Sequence, residues 1–107
     1  MTRAILATTA LVAVSLISPA EAKSARCYTS DDGEYRCEFM ATDGKGSFKI
    51  SSPGKPTFSL VIERAGVAFG FADFGSGSVP LPGLYRRSEA DPACWVNDAT
   101  AAELCAW

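Results

Sequence analysis

Four cysteines, Cys27, Cys37, Cys94 and Cys105, constrain this chain more than any other feature. All of them lie beyond an N-terminal stretch that reads as an export leader. It runs from Arg3 through an apolar segment, Ala4 to Ile17, to Ser18-Pro19 and the small-residue site Ala20-Glu21-Ala22. Cleavage there predicts residues 1–22 as a removed signal peptide and residues 23–107 as a single small domain, free in the periplasm. An even cysteine count in an exported chain of this size reads as two disulfides. A domain this small buries only about 60% of its unfolded surface. Cross-links therefore offset a thin core, and little room remains for a deep cleft.

Beyond the leader, every aromatic and every glycine of the chain falls in a text suited to strands and turns. Between Cys27 and Cys37, a three-residue loop Asp31-Asp32-Gly33 places Gly33 where positive φ is needed and sets 30/34, 28/36 and 27/37 opposite one another. Directly opposed strand residues lie within disulfide reach, so Cys27–Cys37 is the preferred first bridge. Cys94–Cys105 then follows by elimination, with two other connectivities open. Phe48 and Ile50 alternate with polar neighbours, Ser52-Pro53-Gly54-Lys55-Pro56 is a turn, and Phe58, Leu60 and Ile62 stand in phase.

After a turn at Ala65-Gly66, Val67, Phe69 and Phe71 alternate with Ala68, Gly70 and Ala72. Either something packs closely on the smooth face, or glycine relieves the bend of a strand around a small barrel. Residues 74–83 read as a mobile, proline-punctuated loop. Ala93-Cys94-Trp95-Val96 reads as a strand, and residues 97–103 as one helical turn. Seven or eight short strands predict an all-β fold, a small antiparallel β-barrel of about eight strands stapled by disulfides.

The chain contains no histidine, which excludes imidazole bases, histidine triads and zinc sites with imidazole ligands. Paired cysteines leave no thiol nucleophile. The formal net charge is −2 and stays so without the leader, which carries Arg3 and Glu21; this is not the balance of a nucleic-acid binder. No segment after residue 22 has the roughly 20 apolar residues of a spanning helix. Paired carboxylates remain the one acid-base option. However, Asp31, Asp32, Asp43, Asp73, Asp91 and Asp98 sit in turn contexts where they bond their own backbone. Asp31-Asp32-Glu34 lacks the spacing of a calcium loop. The expectation is therefore a binding protein with no catalytic residues, no metal and no cofactor. Its most promising surface is the segment from Phe74 to Asp91, with apolar Leu81 and Leu84, Tyr85 and the adjacent pair Arg86-Arg87. Tyrosine and arginine anchor interfaces, and a guanidinium grips a carboxylate through two hydrogen bonds.

At these residues the sequence resembles the periplasmic and membrane-bound inhibitors of c-type lysozyme of Gram-negative bacteria. Tyr35-Arg36-Cys37 resembles that family's early cysteine strand, Pro82-Gly83-Leu84-Tyr85 its Ser-Gly-x-x-Tyr loop, and Trp95-Val96-Asn97-Asp98-Ala99 its Trp-x-Lys-Gly strand followed by Ala. Pro82 stands where the loop serine belongs, the glycine-to-tyrosine spacing is one residue shorter, and Asn97-Asp98 replaces Lys-Gly. The resemblance implies an eight-stranded antiparallel barrel whose loop enters the lysozyme cleft and blocks peptidoglycan hydrolysis, a means of evading host defence. It implies lysozyme contacts from Pro82, Gly83, Leu84, Tyr85, Arg86, Arg87, Ser88, Trp95 and Asn97. The partner expected is a host c-type lysozyme, with no nucleic acid and no membrane anchor after leader cleavage; a homodimer is compatible with this reading. The competing expectation is a non-enzymatic secreted module that binds glycan or an envelope or host surface.

Overall fold

The two-residue periodicity read from the sequence becomes nine strands in a computed structural model that describes residues 22–107. All of the expected leader except Ala22 lies outside the described residues. The strands are β1 (Lys23–Thr29), β2 (Gly33–Ala41), β3 (Phe48–Ser51), β4 (Thr57–Arg64), β5 (Val67–Asp73), β6 (Ser78–Pro80), β7 (Tyr85–Arg87), β8 (Cys94–Asn97) and β9 (Glu103–Ala106). All pairings are antiparallel. Eight strands close a barrel in the order β1-β2-β3-β4-β5-β7-β8-β9, with β9 pairing back onto β1, and β6 is an additional strand on β5.

A barrel of eight strands is just wide enough for side chains to fill it. Here the filling comes from Cys27, Ile50, Leu60, Ala68, Tyr85, Trp95 and Leu104, with Phe39 and Phe48 stacked at 5.0 Å between ring centres. The alternating stripe of β5 is resolved by this packing. Ala68, Gly70 and Ala72 face inward, while Phe69 is exposed on the outside. A Cβ at Gly70 would lie 2.5 Å from Tyr85 Cε2, so both sequence readings of this strand are met at once. The strand bends around the barrel, and the Tyr85 ring lies flush against its bare backbone.

Both disulfides form as expected, Cys27–Cys37 and Cys94–Cys105. The first hairpin differs from the expected register by two residues, with Cys27 opposite Tyr35, Tyr28 opposite Glu34 and Thr29 opposite Gly33. Gly33, at φ 71°, joins the end of the ladder instead of sitting inside the loop, and Asp32 N–H donates to Thr29 Oγ1. A two-residue shift leaves every side chain on its own face. Cys27 and Cys37 therefore both stay buried and bridge diagonally, their Cα atoms 5.9 Å apart. Cys94 and Cys105 are direct cross-strand partners.

Two segments differ from the sequence reading. Residues 78–80, expected in a loop, form β6. Leu81 N–H donates to Gly70 C=O at 2.8 Å, so the nitrogen of Pro80 faces away from β5 and its missing proton costs no ladder bond. Residues 97–103, expected as one helical turn, divide: Asn97 ends β8, Glu103 begins β9, and 98–102 between them form a single turn, closed by Ala101 N–H to Asn97 C=O at 2.8 Å and ended by Ala101 at φ 66°. One turn fixes too many dihedrals for one bond to propagate further.

Candidate functional site

Strand direction sorts the connections to two ends of the barrel. The hairpin tip at residues 30–32, the turn at 52–56, the loop at 74–77 and the turn at 98–102 gather at one end, and residues 82–84 lie beside them. There, two of the three segments on which the resemblance rests are knitted together. Asn97 Nδ2 donates to Pro82 C=O at 2.8 Å, while Asn97 Oδ1 accepts from Ala99 and Thr100 N–H. Asp98 Oδ1 accepts from Leu84 N–H at 2.9 Å, Asp98 Oδ2 accepts from Arg86 Nε at 3.2 Å, and Asp98 N–H returns a bond to Leu84 C=O. The Leu84 amide, with Arg86 adding to it, holds the Asp98 carboxyl below the usual carboxylate range. Gly83 closes the fit at φ +63°, where a Cβ would stand 2.7 Å from both Ala99 Cβ and Asp98 Oδ1. Pro82 through Leu84 are thus a tethered rim and not a free loop.

Inside this rim lies a hollow of about 140 Å³ at the barrel mouth, walled by Phe58, Phe74, Leu81, Tyr85 and Leu104 and bordered by Asp31. Phe74 is 66% exposed. It stands at the start of a loop folded over Asp73 Oδ1, which accepts from Gly75 and Gly77 N–H. Burial pushes the Tyr85 phenol up from its ordinary value, the Asn97 side chain opposes this, and the negative charge of Asp31 adds to it. The same end carries Asp31, Asp32, Asp73, Asp98 and Glu103. Of its cations, Lys55 lies over the Tyr35 ring and Arg86 is tied to Asp98. This end of the barrel is acidic.

The expected site residues fall into two groups. Pro82, Gly83 and Arg86 are exposed and Leu84 is half-buried on the rim, whereas Tyr85 and Asn97 are buried beneath it. Arg87, Ser88 and Trp95 lead away towards the other end. Trp95 is 2% exposed, with the Arg87 guanidinium 4.6 Å from its ring centre, and Ser88 Oγ accepts from Ala90 and Asp91 N–H in the β7–β8 turn. Adjacent strand residues point to opposite faces, so Arg86 and Arg87 do not form one clamp. The sequence places Phe74 at the start of the promising segment and Asp98 in a turn and in the second resembling segment, but assigns neither a specific contact, and it reads Asp31 as a solvated hairpin tip. The signals available were a carboxylate directly after Asn97 and a phenylalanine between aspartate and glycine. Cys94, Glu103 and Cys105 also cluster, but both sulfurs are in the disulfide and neither can act as a thiolate ligand.

Compared with protein-family models, curated proteins and solved structures, the chain has no significant match.

Proposed function

We propose that this protein is a periplasmic inhibitor of c-type lysozyme that works by occluding the target's cleft and performs no chemistry itself. One observation carries the reading. Residues 82–84 and 97–99, drawn from two segments that are separate in sequence and each resemble a motif of that inhibitor family, converge on one hydrogen-bonded rim of a small closed barrel. A rim held by six hydrogen bonds of its own would bind without first ordering its loop, which lowers the cost of association.

Glycoside cleavage needs one carboxyl protonated and another ionised, so a donor inserted between them disturbs that balance while the rim excludes substrate. Asn97, which stands in the position of the family's lysine region, spends its amide on Pro82 and is not free for this role. Arg86 is better placed. Its Nε serves Asp98, and its terminal nitrogens remain to donate outward from an exposed position. An acidic barrel end also suits a strongly basic enzyme.

The purified, oxidised protein titrated into a hen-lysozyme turbidity assay tests the proposal. Stoichiometric inhibition and co-elution with the enzyme on a sizing column are expected. Full lysozyme activity at a large molar excess would refute it and leave the secreted glycan- or surface-binding module as the reading to pursue.

A further inference from the structure

We infer that the barrel mouth is a receptor for a basic side chain, lysine or arginine, presented by the protein partner. The inference deepens the inhibitor reading and rests on it for the identity of the partner, but the chemistry of the hollow is argued independently.

Three aromatic residues, Phe58, Phe74 and Tyr85, line the hollow together with Leu81 and Leu104, and the carboxylate residues Asp31 and Glu103 border it. Aromatic faces carry negative potential and attract cations, and a wall of several rings is a recognised way to hold an alkylammonium group. The apolar wall suits the methylene stem of lysine or arginine, which packs on hydrophobic surface while its head stays polar. At the border, Asp31 supplies the countercharge. It is exposed at the hairpin tip and makes no ion pair among the described residues, so it can receive the head without first releasing another partner.

The size agrees. A cavity of about 150 Å³ accepts a benzene-sized group, and the hollow is about 140 Å³, enough for an alkyl stem and too small for a sugar ring with its substituents. Charge selects the cation over a neutral aliphatic side chain. Asp31, Asp32 and Glu103 make no ion pair among the described residues; of the rim's cations, Arg86 is tied to Asp98 and Lys55 sits over the Tyr35 ring. Phe74 supplies a further reason for an occupant. A phenylalanine held 66% exposed by a preformed loop at the edge of a hollow leaves apolar surface that a bound stem would cover.

The test uses Nα-acetyl-lysine methylamide, its arginine counterpart and the neutral norleucine counterpart, each titrated into the oxidised protein while amide and aromatic NMR shifts are followed. Shifts should concentrate at Phe74, Leu81, Tyr85 and Leu104. The cationic probes should bind about threefold or more tighter than norleucine, Asp31→Asn should reduce that preference, and Asp31→Asn combined with Glu103→Gln should bring the three level. Phe74→Ala should weaken all three without lowering the melting temperature. Absence of shifts at tens of millimolar probe, equal binding of norleucine, or tighter binding of tetramethylammonium than of either basic probe would overturn the inference. Probe binding with lysozyme left fully active would uphold the cation preference of the mouth and refute only the identity of the partner. Inhibition of lysozyme with no probe binding would do the reverse.

Discussion

Gly70→Ala tests how the mouth is built. The new methyl carbon would stand 2.5 Å from Tyr85 Cε2 and 2.8 Å from Cδ2, with Leu81 Cδ1 at 3.4 Å. Carbon atoms at rest prefer about 3.5–4.0 Å, so the ring must move by about 1 Å or more, and it is 4% exposed with neighbours on its other side. Overpacking of this kind costs about 1–3 kcal/mol. Alanine also restricts the unfolded chain, which returns about 0.4–1 kcal/mol at a position that needs no positive φ. The net expectation is a loss of about 1–2 kcal/mol, or roughly 4–16 °C in melting temperature for a domain of this size. Thermal unfolding followed by near-ultraviolet circular dichroism measures it. The displaced ring should also intrude on the hollow, so probe binding should fall with stability. A double-mutant cycle with Tyr85→Leu isolates the cause, because removing the ring should relieve most of the alanine's cost, a coupling of about 1 kcal/mol or more. A Gly70→Ala protein that melts at or above the parent temperature, or a cycle in which the two changes simply add, would refute the packing argument.

Gly83→Ala should destabilise the rim by about 1–3 kcal/mol, because it combines positive φ with contacts of 2.7 Å; Gly54→Ala, at φ +78° but with nothing within 4 Å, should cost less, and chemical denaturation of the two would show equal losses if the contacts were irrelevant. Arg86→Ala should weaken lysozyme inhibition by about tenfold or more, equal to about 1.4 kcal/mol, while Arg87→Ala should change it by less than about threefold; the opposite order in inhibition titrations would place the contact surface at the Trp95 end. The Asp98 carboxyl titrates below its unfolded value, so its stabilisation is present above about pH 4 and disappears as pH falls through the depressed folded value. Asp98→Asn should therefore flatten the acid limb of the stability profile, leaving the contributions of Asp43 and Asp91, which are lowered in the same way; an unchanged limb would sever Asp98 from the acid response.

Local periodicity made much of the barrel legible. Phe48, Ile50 and Leu60 are buried where their alternation placed them, and both disulfides join the expected cysteines. The hairpin register was not legible to the residue, because a shift of two preserves the faces and costs the pattern nothing. Strand β6 was hidden by a Ser-Gly-Pro composition that also describes loops, and what makes it a strand is the open edge of β5 beside it. The sequence did not reveal which of the candidate site residues are exposed and which are buried. Tyr85 and Trp95 have the chemistry of interface anchors, yet both serve the interior, since Gly70 offers the Tyr85 ring a bare backbone from another strand and Arg87 covers the Trp95 face. No window of sequence around Tyr85 contains Gly70 in its spatial relation to it.

Asp98 links the rim to the electrostatics of the mouth. One of its oxygens holds Leu84 and the other holds Arg86, so the carboxylate that fixes the protruding backbone also fixes and partly neutralises the rim's arginine. The remaining charge of this end is then negative, centred on the hairpin tip and open to solvent. On the proposed reading, such a surface would attract a basic protein at long range and discriminate at short range, because the partner would have to present a cation to the mouth and a carboxylate to the outer edge of Arg86. The two demands fall on opposite charges of one partner. A uniformly basic polypeptide should therefore bind through the mouth alone and weakly, whereas a basic protein with an acidic cleft should engage both; equal affinities in a side-by-side titration would refute this.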